Sequence, residues 1–201
     1  GIGGLMAAYR LKQNKPDIKV IITERGNALE KRSCPAGKNN GCIHCKTCSI
    51  TSGYAGAGAF SDGKFNLGTA YGGTLGEELG DDVANQYIDE VDKILNKYCT
   101  SGIPVVYKSN EDLKLKCIQN NLRLLDMNVK HLGTDNNYIT MLNLINDLAE
   151  NGVEMKTFYD CEKVLKTDSG YELLYTNGEK ICADKIIIAT GRGGANFVND
   201  F

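Results

Sequence analysis

Residues 1–25, GIGGLMAAYRLKQNKPDIKVIITER, decide the fold. Glycine occupies positions 1, 3 and 4, and behind it Leu5, Met6, Tyr9 and Leu11 recur at near-helical spacing. That spacing predicts a helix over 3–13 whose first turn is built from small residues. From Asp17 to Thr23 the pattern turns extended, with Val20-Ile21-Ile22 at its centre. A near-continuous apolar run suits a strand buried on both faces of a parallel sheet. Glu24 and Arg25 follow at its end.

Gly1 and Gly4, three residues apart, fit the last two glycines of the G-x-G-x-x-G dinucleotide fingerprint, with the first glycine and its strand expected upstream. Gly1 would let the backbone approach a pyrophosphate whose charge rests on the helix N-terminus, and Gly4 would let that helix pack closely on its strand. Glu24 lies 20 residues after Gly4, where a carboxylate can accept hydrogen bonds from ribose hydroxyls. Arg25 beside it is a further cofactor-binding candidate. The plainer alternatives are a glycine-rich turn and a solvated strand-end carboxylate.

Working outward, residues 33–80 are rich in Gly, Cys, Ser and Asn with little periodicity, as in functional or disordered inserts. Helical spacing returns over 81–98, where Val83, Ile88, Val91, Ile94, Leu95 and Tyr98 form a stripe and Asp81 or Asp82 is the expected cap. Further helices are predicted over about 111–126 and about 135–151, the latter begun by Thr134 or Asp135 and stopped by Gly152. The period then becomes two. Strands are expected over 153–158, 161–167, 171–176 and 179–183, the last three joined through Ser169-Gly170 and Asn177-Gly178. Lys185–Ala189 reads as a short buried strand running into Thr190-Gly191. The predicted fold class is α/β: a Rossmann-like parallel sheet backed by helices on one side and a three-stranded antiparallel meander on the other. A helical, Gly/Cys-rich insertion completes it. Residues 1–201 read as one partial domain lacking its first strand and C-terminal portion, with an insert at 33–80 and a helical segment at 81–130.

Composition narrows the function. Hydrophobic content of 42% and charged content of 24% are ordinary for a globular protein, and 201 residues suffice for a sizeable core. A net charge of −2 argues against a nucleic-acid surface. No apolar run approaches the roughly 20 residues of a bilayer span, and no signal segment opens the chain. The cytoplasm is the expected compartment, and its reducing poise makes structural disulfides unexpected among the eight cysteines.

The meander before KIIIATG resembles the two-dinucleotide-binding-domain flavoproteins of the glutathione reductase type, rather than the alternating strands and helices of an NAD domain. That resemblance implies FAD, adenine contacts from Cys161 and neighbouring Asp160, and Thr190 and Gly191 near the flavin pyrophosphate or ribityl chain. Otherwise ATG is a strand that simply ends at glycine. Three more stretches sharpen the match: the cysteine cluster, GYAGAGAFSDGKFNL (53–67) and HLGTD (131–135). With the two ends, they are similar to a bacterial family of uncharacterised FAD-dependent dehydrogenases, the NAD(P)/FAD-dependent oxidoreductases. The resemblance covers most of the chain and implies FAD binding and redox chemistry, with no defined substrate.

In the 53–68 loop, Gly56 and Gly58 are small enough to let backbone N–H groups reach an anion or ring edge, and Ser61, Asp62 and Lys64 are its polar groups. A cation near the flavin N1–C2 edge stabilises the anionic reduced ring, which makes Lys64 a catalytic candidate. A flexible loop with solvated charges is the alternative. His131 is either an acid–base group near the flavin or a surface-turn residue ahead of a helix capped by Thr134 and Asp135; the second is the stronger reading. Cys34, Cys42, Cys45 and Cys48 follow C-x7-C-x2-C-x2-C, whose short spacers let thiolates converge on zinc or an iron–sulfur cluster. A redox-active dithiol and unligated thiols remain open. The expected function is FAD-dependent oxidoreduction of a small-molecule substrate or electron acceptor, with NAD(P)H as a candidate donor and no nucleic-acid or membrane partner. The rival readings are a flavin-bearing redox sensor or electron-transfer module with a Cys-ligated metal, and a zinc-stabilised nucleotide-binding protein without flavin.

Overall fold

The structure is a computed structural model that describes residues 1–38, 41–125 and 127–199, the side chains of 37 and 38 excepted. In chain order the longer elements are α1 (Ile2–Asn14), β1 (Val20–Glu24), β2 (Lys64–Leu67), α2 (Leu75–Leu79), α3 (Asp81–Tyr98), β3 (Val106–Tyr107), α4 (Glu111–Gln119), β4 (Asn128–His131), α5 (Thr134–Glu150), β5 (Val153–Thr157), β6 (Cys161–Thr167), β7 (Gly170–Tyr175), β8 (Lys180–Ala183) and α6 (Ala195–Asn199). They form two compact units, residues 1–60 with 142–201, and residues 61–141. The mixed α/β class is as expected. The division falls at 60/61 and 141/142, so the GAGAFSDGK stretch is shared between the two units.

In the first unit β1 and β5 pair in parallel, with Val20 opposite Val153 and Glu24 opposite Thr157. Leu5, Leu29, Leu144 and Leu148 are at most 1% exposed. Each such side chain contributes about 1.5–3 kcal/mol relative to exposure. Tyr54 pins the two strands, its hydroxyl 3.2 Å from the Ile22 carbonyl oxygen and 3.0 Å from that of Lys156. Beyond β1 the Tyr159 N–H donates to the Glu24 carbonyl and the Phe158 N–H to that of Gly26. The meander forms as predicted, in the order β6-β7-β8, and the Tyr175 hydroxyl reaches Thr23 Oγ1 at 3.4 Å.

Lys185–Ala189 departs from expectation. The segment is not a strand, and Ile187 and Ile188 are 61% and 40% exposed. An apolar run becomes a parallel strand only beside a neighbour that completes its ladder. Among the described residues the parallel sheet holds β1 and β5 alone.

The second unit holds an antiparallel sheet in the order β2-β4-β3, which the weak periodicity of 61–80 did not foretell. Lys130, on the central strand and 1% exposed, donates to both Asp92 carboxylate oxygens at 2.5 and 2.6 Å and to Asn96 Oδ1 at 2.9 Å, tying β4 to α3. The bounds of α3 match the prediction, but its N-cap is Gly80, without a side-chain cap, and Asp81 accepts from Thr69 Oγ1 instead. Its buried face is Ala84, Leu95 and Tyr98, while Val83 and Val91 are exposed. The helix expected over 111–126 ends at Gln119, because the Asn120 amide caps the Lys116 carbonyl and Asn121 turns left-handed at φ 55°. Residue 126 lies outside the described residues.

Candidate functional site

The first unit gathers most of the expected cofactor-binding residues around the start of α1. Leu5 makes the first intrahelical bond, to the Gly1 carbonyl, so the preceding N–H groups at the helix mouth have no acceptor within the helix. The mouth has neither a side-chain cap nor an acidic residue in its first turn, and the positive end of such a helix favours an anion. Gly1 nitrogen lies 3.4 Å from Glu24 Oε2. The other carboxylate oxygen, Oε1, accepts from Gly26 N–H at 2.9 Å and Gly53 N–H at 3.1 Å. Through Oε1, Glu24 thereby joins two backbone segments, and its side chain is 12% exposed.

Close backbone approach explains several of the glycines here. A Cβ on Gly26 would stand 2.4 Å from Gly53 nitrogen, and one on Gly53 would stand 2.5 Å from the Arg32 side chain. At Gly56, φ is 64° and a Cβ would come within 3.3 Å of Gly1 Cα. Gly3 and Gly4 face Ala189, where added Cβ atoms would be 3.8 and 3.7 Å from its methyl. The KIIIATG segment therefore lies alongside the helix start although it is no strand. Thr190 packs against Gly194 and Gly191 takes φ 62°, in a turn closed by Gly194 N–H to the Gly191 carbonyl. Arg25 bridges this turn to the loop after β1, donating to Ser52 Oγ at 3.2 Å and to the Gly193 carbonyl at 3.5 Å. A Cβ at Gly58 would meet open space, so sterics do not require glycine there. Cys161 opens β6 opposite Tyr175, its thiol pushed up chiefly by burial. The neighbouring Asp160 carbonyl is taken by Thr176 N–H.

Arg32 holds this region together, and no sequence pattern announced it. It is 7% exposed and donates to four carbonyls: Ser49 at 2.9 Å, Ile50 at 2.7 Å, Tyr54 at 2.7 Å and Gly56 at 2.8 Å. Its guanidinium also lies 4.6 Å from the centre of the Phe60 ring. Burial lowers its pKa, opposed by the charges of Glu24 and Cys48. Burial first, then the Glu24 charge, raises the Tyr54 phenol well above its ordinary value. Between them Ala55 is forced to φ 66°, a left-handed conformation costing an L-residue about 1–2 kcal/mol. Ser52 and the Gly193-Gly194 pair were also missed, their one sequence signal being the run of glycines after Thr190, whereas Gly53 belongs to the glycine-rich 53–68 loop that the sequence marked.

Cys34, Cys42, Cys45 and Cys48 are exposed free thiols that line one hollow of about 340 Å³ together with His44 and Thr51. Among the described residues no three His, Cys, Asp or Glu side chains form a group that could hold a metal ion. The Cys48 thiol is lowered by N–H groups of Thr51 and Ile50, by the Thr51 hydroxyl, and more weakly by Arg32.

The second unit assembles Asp62, Lys64 and His131. Lys64 and His131 face each other in register across β2 and β4, and the Lys64 ammonium is 2.9 Å from Asp62. The Lys64 hydrogen bond, with the Lys64 and His131 charges, holds the Asp62 carboxyl below its ordinary range. Ser61 Oγ accepts from Gly63 N–H at 3.2 Å, and Leu132 N–H donates to the Gly63 carbonyl at 2.9 Å. Gly63 must be glycine: φ is 67° and a Cβ would stand 2.9 Å from Asn137 Cβ. His131 is exposed, and α5 begins at Thr134 beyond it.

No protein-family model matches this chain, and no curated protein matches it significantly. No helix among the described residues is long and apolar enough to cross a membrane.

Proposed function

We propose that this chain is the FAD-binding part of a cytoplasmic oxidoreductase with a Rossmann-like fold. The observation that carries the proposal is the convergence on Glu24. A strand-end carboxylate, an uncapped helix mouth and two close-packed glycine turns meet within hydrogen-bonding or van der Waals distance. The residues fit a dinucleotide. The helix mouth offers N–H donors and a positive dipole end to a diphosphate. Glu24 Oε1 is engaged by Gly26 and Gly53 and Oε2 faces Gly1 nitrogen at 3.4 Å, so a ribose hydroxyl would share Oε2 with Gly1. Thr190 and Gly191 supply a turn beside the same helix.

Bound FAD would supply hydride acceptance and donation. In the second unit we assign Lys64 to charge stabilisation and His131 to proton transfer on a small-molecule substrate or electron acceptor. NAD(P)H is the candidate donor. A flavin-bearing electron-transfer module is the second reading, favoured by the four thiols around one hollow; multiple turnover of flavin with NAD(P)H and a small acceptor distinguishes the enzyme.

The test is flavin retention by the full-length gene product. Wild type should purify with FAD released on acid denaturation. Glu24→Gln retains an oxygen for Gly26 and Gly53 but loses the charge, and should weaken FAD binding roughly 10–100-fold, the value of one charged hydrogen bond. A wild-type protein that neither carries nor takes up FAD overturns the proposal, as does a Glu24→Gln variant binding FAD at full strength.

A further inference from the structure

We infer that Cys34, Cys42, Cys45 and Cys48 form the ligand set of an iron–sulfur cluster seated in the hollow that all four line. The inference stands apart from the flavin reading. Its first support is shared location: four cysteines spread over 15 positions of chain line one exposed hollow. The second is how the segment is closed. Arg32, two residues before Cys34, donates to the carbonyls of Ser49 and Ile50, just after Cys48. One buried side chain thus clamps both ends of the cysteine loop, so much of the closure entropy that ligation would otherwise cost is met by protein contacts.

The third support is donor chemistry. From Lys31 to Ser61 there is no Asp or Glu, while Lys31, Arg32, Lys38 and Lys46 lie within 31–48. Without carboxylates the loop suits thiophilic metals and not oxygen-seeking Ca²⁺ or Mg²⁺. Its cations offset the negative charge that four thiolates bring. Spacing then separates cluster from single ion. A tetrahedral zinc site draws its sulfurs to about 3.8 Å from one another, twice the projection of a 2.3 Å bond, and typically takes them as separated pairs. Here three thiols run consecutively as C-x2-C-x2-C, the run that ligates polynuclear clusters.

The test is anaerobic purification of the full-length gene product, with iron, acid-labile sulfide, zinc and FAD each measured chemically. The expected result is about four iron and four sulfide per chain, a broad visible charge-transfer absorption, and a paramagnetic signal after dithionite reduction. Cys42→Ser, Cys45→Ser and Cys48→Ser should each lose iron and that signal, whereas Cys117→Ser and Cys182→Ser should keep both. If the serine variants do not fold, the same question is put to wild type: chelator-stripped protein is reconstituted with ferrous iron and sulfide and its spectrum recorded. Stoichiometric zinc without iron overturns the inference, as does failure of the stripped protein to take up iron and sulfide, or iron retention in all three serine variants. FAD content reports separately on the flavin proposal.

Discussion

Replacing Arg32 should loosen the whole Glu24 site without touching any residue expected to meet a ligand. Its four carbonyl acceptors lie 2.7–2.9 Å away and the side chain is 7% exposed. Hydrogen bonds from a charged donor contribute about 1.5–3 kcal/mol each, giving an upper range of about 6–12 kcal/mol for four. Two effects reduce that sum. Loop carbonyls freed by the mutation regain water, and the mutant no longer carries the cost of burying a guanidinium, the cost that lowers the Arg32 pKa. Arg32→Met should therefore destabilise by about 3–5 kcal/mol, the range for removing one partner of a buried charged network. Arg32→Lys should fall between, because an ammonium keeps the charge but cannot present the planar fork that reaches four oxygens. Urea unfolding followed by circular dichroism gives the free energy. Native-state hydrogen exchange gives its location: the Tyr54 and Gly56 amides, bonded to the Asn27 and Gly53 carbonyls, should lose protection first. A loss below about 1 kcal/mol, against the expected range, with unchanged exchange at 53–56, would refute the keystone role.

Tyr54→Phe should cost about 1–2 kcal/mol by removing the hydroxyl between the β1 and β5 carbonyls, measured by the same unfolding curve. The Tyr54 phenol is raised by burial, so its contribution is complete below the unfolded value of about 10 and fades as pH climbs toward the higher folded value. In an alkaline absorbance titration, one phenol that ionises late in wild type should be missing from Tyr54→Phe. Gly63→Ala meets both φ 67° and a 2.9 Å clash; the expected loss exceeds about 1–2 kcal/mol, and NMR shifts at His131 should report the disturbed β2–β4 register. Lys130→Met leaves the Asp92 charge with only the Asn96 amide as partner and should cost about 3–5 kcal/mol, whereas Asp92→Leu with Lys130→Met should recover most of it. Lys64→Met should return the Asp62 carboxyl toward its ordinary range, read from its carbon chemical shift against pH. The Asp62–Lys64 contribution is present above the ordinary carboxylate range and disappears as pH falls through the depressed value.

Local periodicity determined most of the elements by itself. The bounds of α3 and the three meander strands could be read from apolar spacing and from turn residues such as Asn177-Gly178, because those signals act between near neighbours. The glycine-helix-strand-Glu24 run also marked the candidate site, since helix mouths and strand ends are local features. What tertiary structure decided involves partners far apart in sequence. Lys185–Ala189 has the composition of a strand, yet strand formation depends on a neighbour's ladder. β2 and β4 reveal themselves only once paired, with Lys64 set against His131. Arg32 follows Lys31 in the sequence and resembles any solvated charge. Only the fold brings the carbonyls of Ser49, Ile50, Tyr54 and Gly56 around it. Backbone carbonyls belong to every residue type, so a site built from them leaves no mark on composition and is settled by the path of the chain.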